Sequence, residues 1–184
     1  MGYAGGDSNN PTYHRLGNHT ETVQIDYDPD QISYRQLLDV FWDAHYPTAD
    51  PWSRRYMSIV FYHSEEQKRL AEETKAQQEA QKGRIFTEII PYASFYLAED
   101  YHQKYYLQHV GTLMKEISAI YPDPEDFVNS TAAARLNGYA GGYGTDAGLL
   151  AELDSYGLSE EGKETLLKLA KRGLSPACAI PFQG

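Results

Sequence analysis

Residues 11–21 read PTYHRLGNHTE, and this stretch places a phenol, two imidazoles and a carboxylic acid in one irregular loop. The Gly-rich turn GYAGG precedes the loop at residues 2–6, and the strand-like run TVQIDYD follows it at residues 22–28. Loops that are held by a rigid element are common places for catalytic groups. The stretch therefore predicts both the start of a sheet and a candidate site.

The overall composition restricts the class of protein. A chain of 184 residues has the size of one domain with a C-terminal extension. Its formal net charge of −10 argues against nucleic-acid and anionic-membrane partners, because both need a basic surface. No apolar run approaches the roughly 18–20 residues that span a bilayer, and the N-terminus does not read as a signal peptide. The single cysteine, Cys178, excludes an internal disulfide framework and is typical of a reducing compartment, so we expect a cytoplasmic protein.

Short strands and helices are interleaved in the first part of the chain. Ser33 is a suitable N-cap for a helix with an aromatic face. Residues 57–62 form an apolar run that is typical of a buried strand, and residues 85–90 predict another strand. A capping box at Ser64 predicts a long polar helix that stops near Gly83. Because these elements do not strictly alternate, the sequence predicts an α+β fold, a two-layer sandwich with a mixed sheet.

The composition changes to a helical pattern from Pro122 onward. We therefore divide the chain into an α+β domain at residues 1–121 and a helical C-terminal extension at residues 122–184. The pentapeptide GYAGG occurs a second time at residues 138–142 and interrupts the extension. Two copies of five residues do not make a repeat architecture, and we interpret both as Gly-rich coils.

Six short motifs follow one another along residues 2–103. They are GYAGG at 2–6, NPTY at 10–13, HTE at 19–21, YDP at 27–29, FWDAHYPT at 41–48 and FYLAEDYHQ at 95–103. Each motif is weak alone, but together and in this order they resemble the A-type peptide methionine sulfoxide reductase family. The resemblance implies the same α+β class of fold.

The resemblance also implies an activity, the thiol-dependent reduction of methionine-S-sulfoxide to methionine, in proteins or as the free amino acid. This reaction repairs oxidative damage. It uses no bound cofactor, and thioredoxin or another external thiol supplies the electrons. The implied partners are methionine sulfoxide-containing proteins or peptides and a thioredoxin-like reductant.

The chemistry of this reaction points to particular side chains. A thiolate that attacks the sulfur needs the sulfoxide oxygen to be protonated or strongly hydrogen-bonded. Phenols and a neutral carboxylic acid are suitable donors, and burial raises the pKa of a glutamate from its usual value of ~4.3. The resemblance assigns these roles to Glu21, Tyr13 and Tyr56. Further candidates for substrate binding are Asp50, Glu99 and His102.

The sequence departs from the family pattern at the nucleophile. In the family the attacking cysteine lies in Gly-Cys-Phe-Trp-Gly, upstream of the Gly-rich turn, and that motif does not occur in this chain. We therefore expect an N-terminally truncated chain with one sheet edge uncovered, and such an edge favours self-association. Cys178 is the remaining candidate for a recycling thiol. The second GYAGG resembles the coil that carries a recycling cysteine in some members, but Ala140 takes that place.

Other interpretations stay open. His14, His19 and Glu21 are potential metal ligands, although their spacing lacks the helical period of known zinc motifs, and we predict no metal site. Glu21 and Asp50, with the histidines, also fit a hydrolase. A third possibility is a catalytically inactive homologue of the same fold that binds a sulfoxide or a protein. If the motifs are set aside, the residues alone favour Tyr13 as a packing residue and Glu21 as a solvated charge at a sheet edge.

Overall fold

The computed structural model describes residues 1–173 and divides the chain into two compact units. The first unit is Met1–Glu99 and contains all the strands of the described residues, while the second begins at Asp100 and is helical. The α+β class and the helical C-terminal region are confirmed. The predicted domain boundary between residues 121 and 122 stays a prediction. None of the helices in the described part of the chain is long and apolar enough to cross a membrane.

A three-stranded antiparallel sheet forms around the first GYAGG. Strand β1 (Gly2–Ala4) lies in the centre, between β2 (Thr20–Thr22) and β5 (Phe95–Leu97). A Cβ atom at Gly2 would lie 2.2 Å from the Phe95 ring and 2.4 Å from the carbonyl oxygen of Tyr96. Only glycine therefore fits at this position. The sequence predicted a coil for the first GYAGG, but the structure has a buried central strand there.

The second sheet is a parallel pair, β3 (Ile59–Tyr62) and β4 (Glu88–Pro91). The crossover helix α2 (Glu65–Lys82) connects them, and α1 (Tyr34–Asp43) packs beside it. The predicted caps Ser33 and Ser64 are confirmed, since the side chain of each accepts a main-chain hydrogen bond at the start of its helix. The core between these elements consists of Leu38, Trp42, Val60, Ala71 and Ile85.

The predicted strand at residues 22–28 is wrong beyond Thr22, where β2 ends. In the structure as described, residues 23–27 have no strand beside them, so their main-chain groups do not join a ladder. Val23 and Ile25 remain 59% and 57% exposed for the same reason. The predicted mixture of antiparallel and parallel strands is present, and it is divided between two small sheets, one antiparallel and one parallel.

The second unit packs helices around its own apolar core. Its helices are α3 (Tyr105–Gln108), α4 (Gly111–Ile120), α5 (Pro124–Asn129), α6 (Thr131–Ala140), α7 (Asp146–Glu152) and α8 (Glu160–Gly173). Its largest fully buried side chains are Leu107, Leu113, Ile117, Leu136, Leu149 and Leu166. The second GYAGG is not wholly a coil, because its first three residues form the last turn of α6.

Candidate active site

The loop that carries Tyr13 is tied to the central strand by one carboxylate. Glu99 follows β5, and its Oε1 accepts the main-chain N–H of Tyr13 at 3.0 Å. Its Oε2 accepts the hydroxyl of Tyr3 in β1 at 2.6 Å. Because the Tyr3 side chain is only 2% exposed, this link is shielded from water on the strand side. Glu99 therefore positions the loop.

His19 holds the other end of the loop and is fully buried. Its Nδ1 accepts the main-chain N–H of Gly6 at 3.1 Å, so its Nε2 is the protonated nitrogen and donates to the carbonyl oxygen of Ser8 at 2.8 Å. Both ring nitrogens of His19 are thus hydrogen-bonded to the main chain. His19 therefore has a structural role, and neither of its nitrogens is available to a metal ion. No cluster of metal-ligating side chains was found within residues 1–173.

Glu21 lies on β2 directly opposite Tyr3, so the two side chains share one face of the sheet. Its side chain is 13% exposed, and its Oε1 is buried without a hydrogen-bond partner. Burial raises the pKa of Glu21, and the nearby Arg55 guanidinium offsets part of that rise. The raised pKa favours the protonated form, which is the form that can donate a hydrogen bond.

Tyr56 lies on a 3₁₀ turn (Arg54–Tyr56) that packs beside β2. Ser53 caps this turn, since its Oγ accepts the main-chain N–H of Arg55 at 3.2 Å. The Thr20 hydroxyl donates to the carbonyl oxygen of Arg54 at 2.8 Å and fixes the turn to the strand. These local bonds bring Tyr56 to the same side of the unit as Glu21.

Arg55 is the residue that the sequence interpretation missed. Its guanidinium donates from Nη2 to the carbonyl oxygen of Tyr13 at 2.7 Å, and its Cζ lies 4.8 Å from the centroid of the Tyr13 ring. The same Cζ is 6.0 Å from the Tyr56 ring centroid, and Nε is 4.0 Å from Oε1 of Glu21. The structure therefore gathers Tyr13, Glu21 and Tyr56 around one guanidinium. The only signal in the sequence that could have pointed to Arg55 was its position directly before Tyr56.

An open hollow of about 460 Å³ adjoins this cluster in the first unit. Glu21 lines it, together with side chains from β3, helix α1 and the unpaired residues 23–27, whereas Tyr13 and Tyr56 are not among its lining residues. His45 also lies at its wall, where its Nδ1 bonds to the carbonyl oxygen of Phe41 at 2.7 Å. Burial lowers the pKa of His45, so it is neutral near pH 7.

The remaining candidates are Asp50, His102 and Cys178. Asp50 is exposed in the loop after α1 and does not line the hollow. His102 belongs to the second unit, in the 3₁₀ turn Asp100–His102. Cys178 lies outside the described residues. The roles proposed for all these side chains stay predictions.

Comparison with known proteins decides the family. The family model described as peptide methionine sulfoxide reductase matches residues 1–135, which is more than half of the chain. This chain belongs to the peptide methionine sulfoxide reductase family. A second family model, described as the helical domain of selenoprotein methionine sulfoxide reductase A, matches residues 123–168.

Individual members of the family agree with this assignment. A peptide methionine sulfoxide reductase of Drosophila melanogaster is 42% identical over 162 residues, which are 86% of this chain and 65% of that protein. The enzyme named MsrA of Sulfolobus acidocaldarius is 43% identical over 118 residues, covering 59% of this chain and 67% of its own length. The crystal structure of reduced Mxr1 from Saccharomyces cerevisiae superposes with a TM-score of 0.54 at 30% identity, covering 56% of this chain and 66% of Mxr1. The chain thus spans just under two thirds of the Drosophila protein.

Proposed function

We propose that this chain serves the reduction of methionine-S-sulfoxide, in proteins or as the free amino acid, to methionine. Family membership supports the reaction class. The single observation that carries the assignment of the site is the buried Oε1 of Glu21, which has no hydrogen-bond partner and lies next to the guanidinium that also contacts the Tyr13 and Tyr56 rings. Such a carboxyl is suited to protonate an oxygen that enters from the hollow.

The proposed reaction transfers one oxygen atom from the substrate sulfur to a thiol. A thiolate attacks the sulfoxide sulfur while Glu21 gives its proton to the oxygen and Tyr13 and Tyr56 donate hydrogen bonds to it. The hydroxyl then passes to the attacking sulfur: its bond to the substrate sulfur breaks, a new S–O bond forms, methionine leaves and the attacking sulfur is a sulfenic acid. A second thiol condenses with that sulfenic acid, so water leaves and a disulfide forms. Two thiols are oxidised for each sulfoxide that is reduced.

The attacking thiol must come from outside residues 1–173, because the only cysteine of the chain is Cys178. We propose Cys178 as a recycling thiol and thioredoxin or another small thiol as the final reductant. We further propose a cytoplasmic location and a role in repair under oxidative stress. Asp50, Glu99 and His102 remain our candidates for residues that contact the substrate.

A reconstitution assay tests this function. The purified chain is incubated with a methionine sulfoxide peptide and dithiothreitol, and the thioether product is quantified with and without a fused N-terminal segment that bears Gly-Cys-Phe-Trp-Gly. We expect product only with the segment, and a loss of at least about 100-fold when Glu21→Gln removes the proton donor, in line with general acid catalysis. A folded fusion that turns over equally well with Glu21→Gln would contradict the assignment.

The lack of a cysteine in the described residues also favours a second candidate, a sulfoxide-binding homologue without chemistry. This candidate predicts saturable binding of a methyl sulfoxide ligand by the chain. It also predicts no thiol-dependent turnover, even with the cysteine segment fused. The assay above therefore separates the two functions.

We also propose self-association through the unpaired residues 23–27. Val23 and Ile25 expose apolar side chains there, and unpaired extended main chain is a template for pairing with another copy.

A further inference from the structure

One guanidinium contacts every member of the proposed proton-donating set. We propose that Arg55 is the positioning residue that holds Tyr13, Glu21 and Tyr56 together as one site; this inference rests on the function proposed above. No motif of the sequence assigns Arg55 a role, and its contacts alone point to it.

The first contact fixes the Tyr13 loop. The hydrogen bond from Nη2 of Arg55 to the carbonyl oxygen of Tyr13 is short, at 2.7 Å, as expected for a charged donor. The main-chain N–H of the same residue is held by Glu99. Tyr13 is therefore held at both main-chain polar groups by side chains of opposite charge. The cation also lies 4.8 Å from the ring centroid, which restricts the direction of the phenol.

The second contact acts on Glu21. At 4.0 Å, Nε of Arg55 attracts the carboxylate without forming a hydrogen bond to it. Oε1 of Glu21 is thus left available to a substrate oxygen. The charge also opposes the effect of burial on the Glu21 pKa, which stays raised because burial is the larger effect. An acid that must give up a proton and later recover it benefits from this balance.

The third contact connects Tyr56. The Tyr56 ring centroid lies 6.0 Å from Cζ of Arg55, at the limit of a cation–π contact. An arginine is charged at any working pH. Since Arg55 precedes Tyr56 on the same capped turn, fixing the guanidinium also fixes the position of the phenol.

The other ionisable groups around the cluster have partners of their own. Glu99 accepts hydrogen bonds from Tyr13 and Tyr3, and the guanidinium of Arg54 is paired with Glu88 at 2.6 Å. Arg55 is the cation that the structure records next to Glu21. Arg54, which has the same side chain on the same turn, is the matched control.

The experiment uses the full chain and the variants Arg55→Met, Arg55→Lys and Arg54→Met. The Glu21 carboxyl is followed by carbon-13 NMR through a pH titration and assigned with Glu21→Gln. The dissociation constant of N-acetyl-methionine sulfoxide amide is measured on the same samples. Arg55→Met should move the Glu21 midpoint upward, since the opposing charge is gone, and should weaken probe binding about tenfold. Arg54→Met should change neither value.

Arg55→Lys keeps a charge near Glu21 but loses the planar fork that reaches the Tyr13 carbonyl. It should leave the Glu21 midpoint close to that of the unmodified chain and still weaken the probe. If thermal melting shows that Arg55→Met does not fold, Arg55→Lys is used in its place to test the proposal. An unchanged Glu21 midpoint in folded Arg55→Met, or an unchanged probe affinity in the folded Arg55 variants, would overturn the proposal. If the unmodified chain does not bind the probe, the proposed function fails, while the Glu21 titration still decides whether Arg55 governs this carboxyl.

Discussion

Tyr13 and Glu99 are 86 residues apart in the sequence, yet the main-chain N–H of Tyr13 donates to Oε1 of Glu99 at 3.0 Å. The same carboxylate accepts the buried hydroxyl of Tyr3. One side chain just after β5 thus sets the position of the loop that carries Tyr13, one of the three proposed proton donors. The FYLAEDYHQ motif and the NPTY motif are physically joined at this point.

Removing this carboxylate should loosen the loop. Glu99→Ala leaves the Tyr3 hydroxyl and the Tyr13 N–H without their acceptor and should lower the free energy of unfolding by about 1–3 kcal/mol. Glu99→Gln keeps one acceptor oxygen and should cost less. Urea denaturation of both variants, with the exposed Glu72→Gln as control, measures the difference. Equal stability of Glu99→Ala and Glu72→Gln would contradict the role of this link.

The pH dependence of stability should report on Glu21. Its pKa is raised in the folded state above the ordinary value of 4.5, so the folded protein binds the proton more tightly than the unfolded chain. The stabilisation from this proton is complete below pH 4.5 and is lost as the pH rises through the folded-state pKa. Glu21→Gln cannot ionise, so its melting temperature relative to the unmodified chain should increase from pH 4 to pH 7. A difference that stays constant over this range would show that Glu21 titrates normally.

The two GYAGG copies offer a matched pair of glycine substitutions. Gly2→Ala places a methyl group 2.2 Å from the Phe95 ring and 2.4 Å from the main chain of β5, and should destabilise the protein by about 1–3 kcal/mol. At Gly138 an added Cβ meets nothing within 4 Å, and alanine favours the helix, so Gly138→Ala should stabilise it by about 0.5–1 kcal/mol. Chemical denaturation measures both. Changes of the same sign would refute the assignment of one copy to a strand and the other to a helix.

Self-association should depend on the unpaired segment that follows β2. Sedimentation velocity should show dimers or larger species for the unmodified chain, and Ile25→Lys should shift the population to monomer, because a charge on the unpaired segment opposes edge pairing. Val40→Lys is the control, since Val40 is 61% exposed on helix α1 and, unlike Ile25, does not line the hollow. A monomeric unmodified chain, or equal effects of the two lysines, would rule out pairing through residues 23–27.

Local sequence signals predicted where helices begin better than they predicted how far strands extend. Ser33 and Ser64 begin their helices as expected, because a capping side chain bonds to main-chain groups only a few residues away. The strand expected at residues 22–28 stopped at Thr22, because a strand needs a neighbour and the sequence does not say whether one is present. The identical GYAGG pentapeptides make the same point, since one is a central strand and the other ends a helix.

The sequence by itself determined the family, the capped helices and the selection of Tyr13, Glu21 and Tyr56 as candidates, because ordered motifs and capping residues act over short distances along the chain. Only the tertiary structure decided that Glu99 holds the Tyr13 loop, that β2 is short and that Arg55 contacts all three candidates. Those features are contacts between residues far apart in the chain, and their geometry depends on how the strands and turns pack against one another.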